Sequence, residues 1–217
     1  MIKAFLFDLD GVLTDTSEFH YLAWQRLADE ESLPFSRLDN EALRGVSRRE
    51  SLAVLLKGKN ISEETAQDWM ERKNNYYLEL VDRMTPANLL PGAVDLLAEL
   101  RAAGIRIAIA SASKNAPLVL ERLKIGLAIE AVVDGNTPAR SKPAPDLFLA
   151  AAKALGVQPA ECVVVEDAAV GIAAGNAAGM QTLGLGPVER VGAAGLVLPS
   201  LEGARLEEIL AGLKSAV

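Results

Sequence analysis

A chain of 217 residues, 50% apolar and 24% charged, has the material for one domain with a sizeable core, or for one domain with a smaller one inserted. Its formal net charge of −7 argues against a broad nucleic-acid or anionic-membrane surface, so positive groups for an anionic substrate must be concentrated locally. One cysteine excludes a disulfide framework and one histidine excludes multi-histidine metal sites, which leaves carboxylates, lysine and serine to carry any chemistry.

The first element, "AFLFDLD" (4–10), is a continuous apolar run of the kind buried on both faces of a parallel sheet, and it ends on Asp8 and Asp10. Its apolar part meets an aspartate too early for a signal peptide, and no stretch is long and apolar enough to span a bilayer. A cytoplasmic protein without a membrane partner is therefore expected. From 16 to 87 strand signals are absent. "SEFHYLAWQRLADEE", "DNEALRGVSRRESLAVLLKG" and "SEETAQDWMERKNNYYLELVDRM" read as amphipathic helices, with "TDT" and "TPANLLPG" as hinges. This predicts a helical cap over 16–87, inserted into a core made of 1–15 and 88–217 and lying as a lid over the first strand's carboxyl end.

Strands and helices then alternate. "IRIAIAS" (105–111), "AVVD" (131–134), "CVVVED" (162–167), "MQTLGLG" (180–186) and the weaker "GLVLPS" (195–200) read as strands, with Cys162 a buried strand residue. Helical spacing falls at 92–104, 116–124, 144–156 and 169–179, the last glycine-rich enough to pack closely on the sheet. The pattern predicts an α/β fold, a doubly wound Rossmann-like parallel sheet with an inserted α-helical cap. Ligands in such folds bind outside the carboxyl ends of the strands.

Those ends collect polar residues: Asp8 and Asp10, then Ser111, Ala112, Ser113, Lys114 and Asn115, then Lys142 in "RSKPAPD", then Glu166 and Asp167. Singly, each has an ordinary explanation, such as a turn at Asp10-Gly11, a helix cap at Asn115 or a solvated charge at Lys142. Together, four carboxylates on one rim repel unless a cation sits among them, and oxygen ligands without His or Cys point to Mg²⁺. Mg²⁺ with Lys142 would neutralise a phosphoryl group, Asp8 would attack phosphorus to form an aspartyl-phosphate, and Asp10 would move the proton. An extended backbone would put Asp10 on the same side as Asp8. Ser111, the amides after it and the helix start at Asn115 would hold phosphate oxygens.

"DLDGVLTDT", "SAS", "SKPAPD" and "VVVEDAAVGI" are similar, in order and over nearly the whole chain, to the four motifs of the haloacid dehalogenase superfamily. The resemblance implies that Asp8 is the nucleophile and that Asp10 is the general acid/base and lends the metal its backbone carbonyl. Asp8, Glu166 and Asp167 match its remaining metal-site carboxylates. "TDT", "GVSR" and "ASASKN" resemble the phosphosugar mutases of that superfamily. This implies interconversion of β-D-glucose 1-phosphate and glucose 6-phosphate through β-glucose 1,6-bisphosphate, with Mg²⁺ as cofactor. It also implies Thr16 at the hinge near Asp10, His20 assisting the placement of Asp10, and Arg48 gripping the phosphate distal to the metal with Ser113, Lys114 and Asn115. Trp24, Gly45, Val46, Ser51 and Lys73 would line the sugar side. Without the resemblance, Trp24 and His20 are a core residue and a stray polar one, and 44–51 an ordinary solvated turn. Arg44 departs from an expected Lys, keeping charge but not geometry, and Ala168 from a frequent Ser.

A sugar-phosphate phosphatase with the same core is the alternative, in which water discharges the aspartyl-phosphate; Arg48, Lys73 and Asn115 favour the mutase. A non-catalytic phosphosugar-binding protein would usually lack one of Asp8, Asp10, Lys142 or the acidic pair, and all are present. The expected partner is a small phosphosugar, and the expected state a monomer.

Overall fold

The computed structural model describes residues 1–215. Six strands form one parallel sheet: β1 (Ala4–Phe7), β2 (Arg106–Ala110), β3 (Ala131–Val133), β4 (Cys162–Glu166), β5 (Gln181–Leu185) and β6 (Leu196–Leu198), in the order β3-β2-β1-β4-β5-β6. The order reverses between β1 and β4, the neighbours that carry Asp8 and the Glu166-Asp167 pair at their ends. Such a switch point opens a crevice for ligands. Register places Phe7 beside Val165, and the Asp8 N–H continues the ladder to the Val165 carbonyl at 2.9 Å.

Period-two alternation sorts side chains to two covered faces. Phe5, Phe7, Val163 and Val165 face one cluster, with α5 (Ala93–Ala102), α6 (Ala116–Leu123) and α10 (Leu206–Ser215) supplying its other wall. Ala4, Leu6, Cys162 and Val164 face the other, against α7 (Asp146–Leu155) and Ala174 of α8 (Ala169–Ala177). Helix α8 packs closely on the sheet, as its glycines predict: a Cβ on Gly171 would stand 1.8 Å from the Glu166 Oε1. A short α9 (Val188–Val191) precedes β6. Neither α9 nor α10 is among the sequence expectations, although Leu206, Ile209, Leu210 and Leu213 carry helical spacing.

The helical stretch after β1 holds α1 (Ser17–Glu30), α2 (Arg37–Glu41), α3 (Arg48–Leu56) and α4 (Glu63–Val81). Trp24, Leu27, Leu52, Leu55, Trp69 and Met70 form a hydrophobic cluster of their own, while Ala23, Tyr77 and Val81 join the cluster under the sheet. The helix–loop junction read over 44–51 divides the helical stretch "DNEALRGVSRRESLAVLLKG" between α2 and α3. Gly45 takes φ +73°, which ends helical winding, and Ser47 restarts it as an N-cap whose box partner is Glu50.

Candidate active site

Strand β1 ends at Phe7, and the chain then turns rather than staying extended. The Asp10 N–H donates to the Asp8 Oδ2 at 3.0 Å, and the Asp10 carboxylate accepts from the Thr16 hydroxyl at the start of α1. Asp10 therefore does not share the side of Asp8 by strand alternation. It reaches toward the helical stretch, because the Gly11–Thr14 turn swings the chain over. Asp8 is held from the other side by the fully buried Lys142, whose Nζ lies 2.5 Å from the Asp8 Oδ1 and 2.6 Å from the Glu166 Oε1. Against the burial that opposes its charge, those two carboxylates raise the Lys142 ammonium above its usual range and keep it protonated. The second Glu166 oxygen accepts from the Ala168 N–H at 2.9 Å. Asp167 is bound by Arg44 at 2.9 Å, and Arg190 donates to its backbone carbonyl at 2.7 Å.

Negative charge still exceeds positive at this rim. Burial, then Asp8 and Asp167, pushes Asp10 to about 8, and burial and Asp8 push Asp167 to about 6 despite Arg44. Glu166 is also raised, by burial above all. Among the described residues no three acidic, histidine or cysteine side chains converge on one ready-made metal point. The donor set nevertheless fits a divalent hard cation: oxygen-only, crowded, and short of one positive partner.

The rim opens into a cavity of about 310 Å³ between the sheet and the helical stretch. Asp8, Asp10, Asp167, Ala112, Ser113 and Lys114 face it from the sheet side, and His20, Trp24, Gly45, Val46, Arg48, Ser51 and Lys73 from the other. Thr16, Ser111, Asn115, Lys142 and Glu166 stand behind this wall. Ser111 is fully buried, its hydroxyl accepting from the Ser113 N–H at 3.1 Å, so it shapes the turn rather than facing the cavity. Asn115 donates its side-chain amide to the Asn74 Oδ1 at 2.8 Å and makes no side-chain cap to α6.

On the helical wall the cations are unusual. The Lys73 Nζ, buried, lies 2.6 Å from the His20 Nδ1 and about 5 Å from the centres of the Trp24 and Tyr77 rings. Burial, then the charge of Arg48, holds Lys73 well below the usual lysine range. Burial and both cations hold His20 well below its own, so its imidazole is neutral and accepts from Lys73. Arg48 is paired with no carboxylate among the described residues; its Nη2 donates to the Asn74 Oδ1 at 2.7 Å. Half-buried and without an acidic partner among the described residues, its guanidinium faces the cavity.

The structure adds residues that the sequence reading left out. The loop after β3 brings Asp134, Gly135, Thr137 and Arg140 to the cavity. The rule that ligands sit at strand ends applies to β3 as well, and would have found it. Tyr77, fully buried, stacks on His20 with ring centres 4.2 Å apart, its phenol beside the Thr16 and Ser113 hydroxyls. Its place four residues after Lys73 was the available signal.

Residues 2–179 match the family model of haloacid dehalogenase-like hydrolases. The chain is 45% identical over 210 residues to a β-phosphoglucomutase of Bacillus subtilis, covering 95% of this chain and 93% of that protein. It is 37% identical to hexitol phosphatase A of Escherichia coli, covering 92% of each. A crystal structure of β-phosphoglucomutase from Clostridium difficile superposes with a TM-score of 0.96 at 40% identity, over 99% of this chain and 98% of that one.

Proposed function

This chain belongs to the haloacid dehalogenase-like hydrolase family, and from that premise we propose a phosphosugar mutase that interconverts β-D-glucose 1-phosphate and glucose 6-phosphate. The observation that carries the reading is a cationic group at each of two opposite walls of one cavity, which suits two phosphate grips. Asp8 with Lys142 behind it forms one, and Arg48, free of any acidic partner among the described residues, forms the other. A phosphatase needs only the first. A mutase working through β-glucose 1,6-bisphosphate needs both, because the second phosphate must be held while the first reacts.

Asp8 is the nucleophile. Lys142 fixes one oxygen and the Asp10 N–H the other, which orients the carboxylate before reaction. Attack on phosphorus forms the Asp8–O–P bond as the bond to the sugar oxygen breaks, and Asp10 gives that oxygen its proton. With its carboxyl pushed to about 8, Asp10 holds this proton at neutral pH. In the reverse half, Asp10 takes the proton of the incoming sugar hydroxyl as that oxygen attacks phosphorus and the Asp8–P bond breaks. Thr16 holds the Asp10 carboxylate at the base of α1, and neutral His20 orients the ammonium of Lys73 against the sugar side.

Mg²⁺ is the cofactor the donor set suits, with Asp8, Asp167 and the Asp10 carbonyl as its ligands; it would offset charge on the transferring phosphoryl group. Glu166 has both oxygens engaged, so its part there is to anchor Lys142. We place the core at 1–15 and 88–217 and the cap at 16–87. We take a monomer as the acting form. No helix among the described residues is long and apolar enough to cross a membrane, and the lone buried thiol suits a reducing cytoplasm.

The test is dependence on the intermediate. With β-glucose 1-phosphate and Mg²⁺, glucose 6-phosphate should form rapidly only when trace β-glucose 1,6-bisphosphate is added, and Asp8→Asn should abolish it. Activity surviving Asp8→Asn would overturn the nucleophile assignment.

A further inference from the structure

Asn74 follows Lys73 on α4 but does not face the cavity. Its Oδ1 accepts two hydrogen bonds, from the Arg48 Nη2 on α3 at 2.7 Å and from the Asn115 Nδ2 before α6 at 2.8 Å. One donor belongs to the helical stretch and the other to the sheet unit. A single amide oxygen thus ties the two walls together directly behind the distal phosphate grip. Two further polar ties between these walls differ in kind: Arg122 to Asp82 is exposed, and Arg44 to Asp167 lies at the opposite grip.

We propose that Asn74 is a positioning residue: it orients Arg48 and, through the bond from Asn115, seats the helical wall that carries Arg48 on the sheet unit. The inference rests on the mutase reading. An acceptor is needed because Arg48 and the Asn115 amide both donate. A neutral acceptor is needed because a carboxylate would pair with the guanidinium and weaken its pull on phosphate, whereas an amide oxygen fixes the fork and leaves its charge uncompensated. When the wall lifts, Asn74 and Arg48 move together and the bond to Asn115 breaks, so the oriented grip stands opposite the rim only in the closed arrangement that excludes water from the aspartyl-phosphate.

Asn74→Ala and Asn74→Asp separate these two requirements. Alanine removes the acceptor, and KM for β-glucose 1-phosphate should rise about tenfold, the scale of one hydrogen bond to a charged group, with kcat changed much less. The share of inorganic phosphate among products should rise, and the radius of gyration in solution with bound substrate should exceed the wild-type value. Aspartate keeps both bonds, so phosphate share and radius of gyration should stay at wild-type values, while KM rises because Arg48 is neutralised. Wild-type KM in either variant would overturn the proposal, as would a wild-type phosphate share in Asn74→Ala. Should Asn74→Ala fail to fold, the isosteric Asn74→Asp carries the test alone. If the wild type releases only inorganic phosphate, the mutase reading fails, and KM for hydrolysis together with the radius of gyration still decides the role of Asn74.

Discussion

Lys73 shows how a residue can serve the site against the stability of the fold. It is almost fully buried, its nearest polar partner is a neutral imidazole, and Arg48 repels it. Its folded pKa lies below the unfolded one, so the unfolded chain binds the proton more readily. The lysine therefore costs stability at neutral pH, and that cost disappears only as pH rises through the unfolded value. Lys73→Met should stabilise the protein by about 1 kcal/mol, or roughly 3 °C in Tm, while raising KM. Thermal melts beside steady-state kinetics check both signs. Asp10 titrates the other way. Its carboxyl is raised from 3.8 to about 8, so the folded chain holds a proton that the unfolded chain has released, and this contribution is lost as pH rises through that window. Asp10→Asn, which cannot ionise, should gain stability relative to the wild type between pH 5 and about 8. Across the same range the Tm increase given by Mg²⁺ should grow as the rim carboxyls ionise. A Mg²⁺ effect independent of pH would contradict this assignment of the rim.

At the scale of elements, the junction between α2 and α3 carries Gly45, Val46 and Arg48 in four residues. A Cβ on Gly45 would stand 2.9 Å from the Val170 Cγ2, on a backbone of positive φ. Gly45→Ala should cost about 1–2 kcal/mol in chemical denaturation and raise KM through displacement of Arg48. A variant as stable and as active as the wild type would show that this turn tolerates a side chain. The same junction belongs to the part of the fold that sequence reading reached. The strands were legible because "AFLF", "IAIA" and "CVVV" are apolar without interruption, which only a sheet covered on both faces explains. The helix–loop junction at 44–51 was legible too, and Ser47 and Glu50 spell the capping box that starts α3. Likewise Asp8, Asp10, Lys142, Glu166 and Asp167 could be placed on one rim from their strand ends. That the Ser111 hydroxyl accepts from the Ser113 N–H and the Asn115 amide reaches Asn74 depends on short turns, whose direction no periodicity records.

For the molecule as a whole, a chain of net charge −7 gathers Arg44, Arg48, Arg49, Lys73, Lys114 and Arg140 around one cavity. Their field should draw a phosphosugar in, so raising ionic strength from 0.05 to about 0.5 M should lower kcat/KM several-fold, mainly through KM. A salt-independent kcat/KM would show that steering has no part. Two covered sheet faces hold the carboxylates, and the helical wall brings Arg48, the proposed second phosphate grip, to the same cavity. The separation of labour is the central claim: the rim transfers phosphoryl groups, and the opposite wall determines whether sugar or water receives them. The direct measurement is the partition of products. Given β-glucose 1-phosphate, Mg²⁺ and trace β-glucose 1,6-bisphosphate, the protein should convert substrate to glucose 6-phosphate with inorganic phosphate a minor product. Stoichiometric release of inorganic phosphate without glucose 6-phosphate would contradict it.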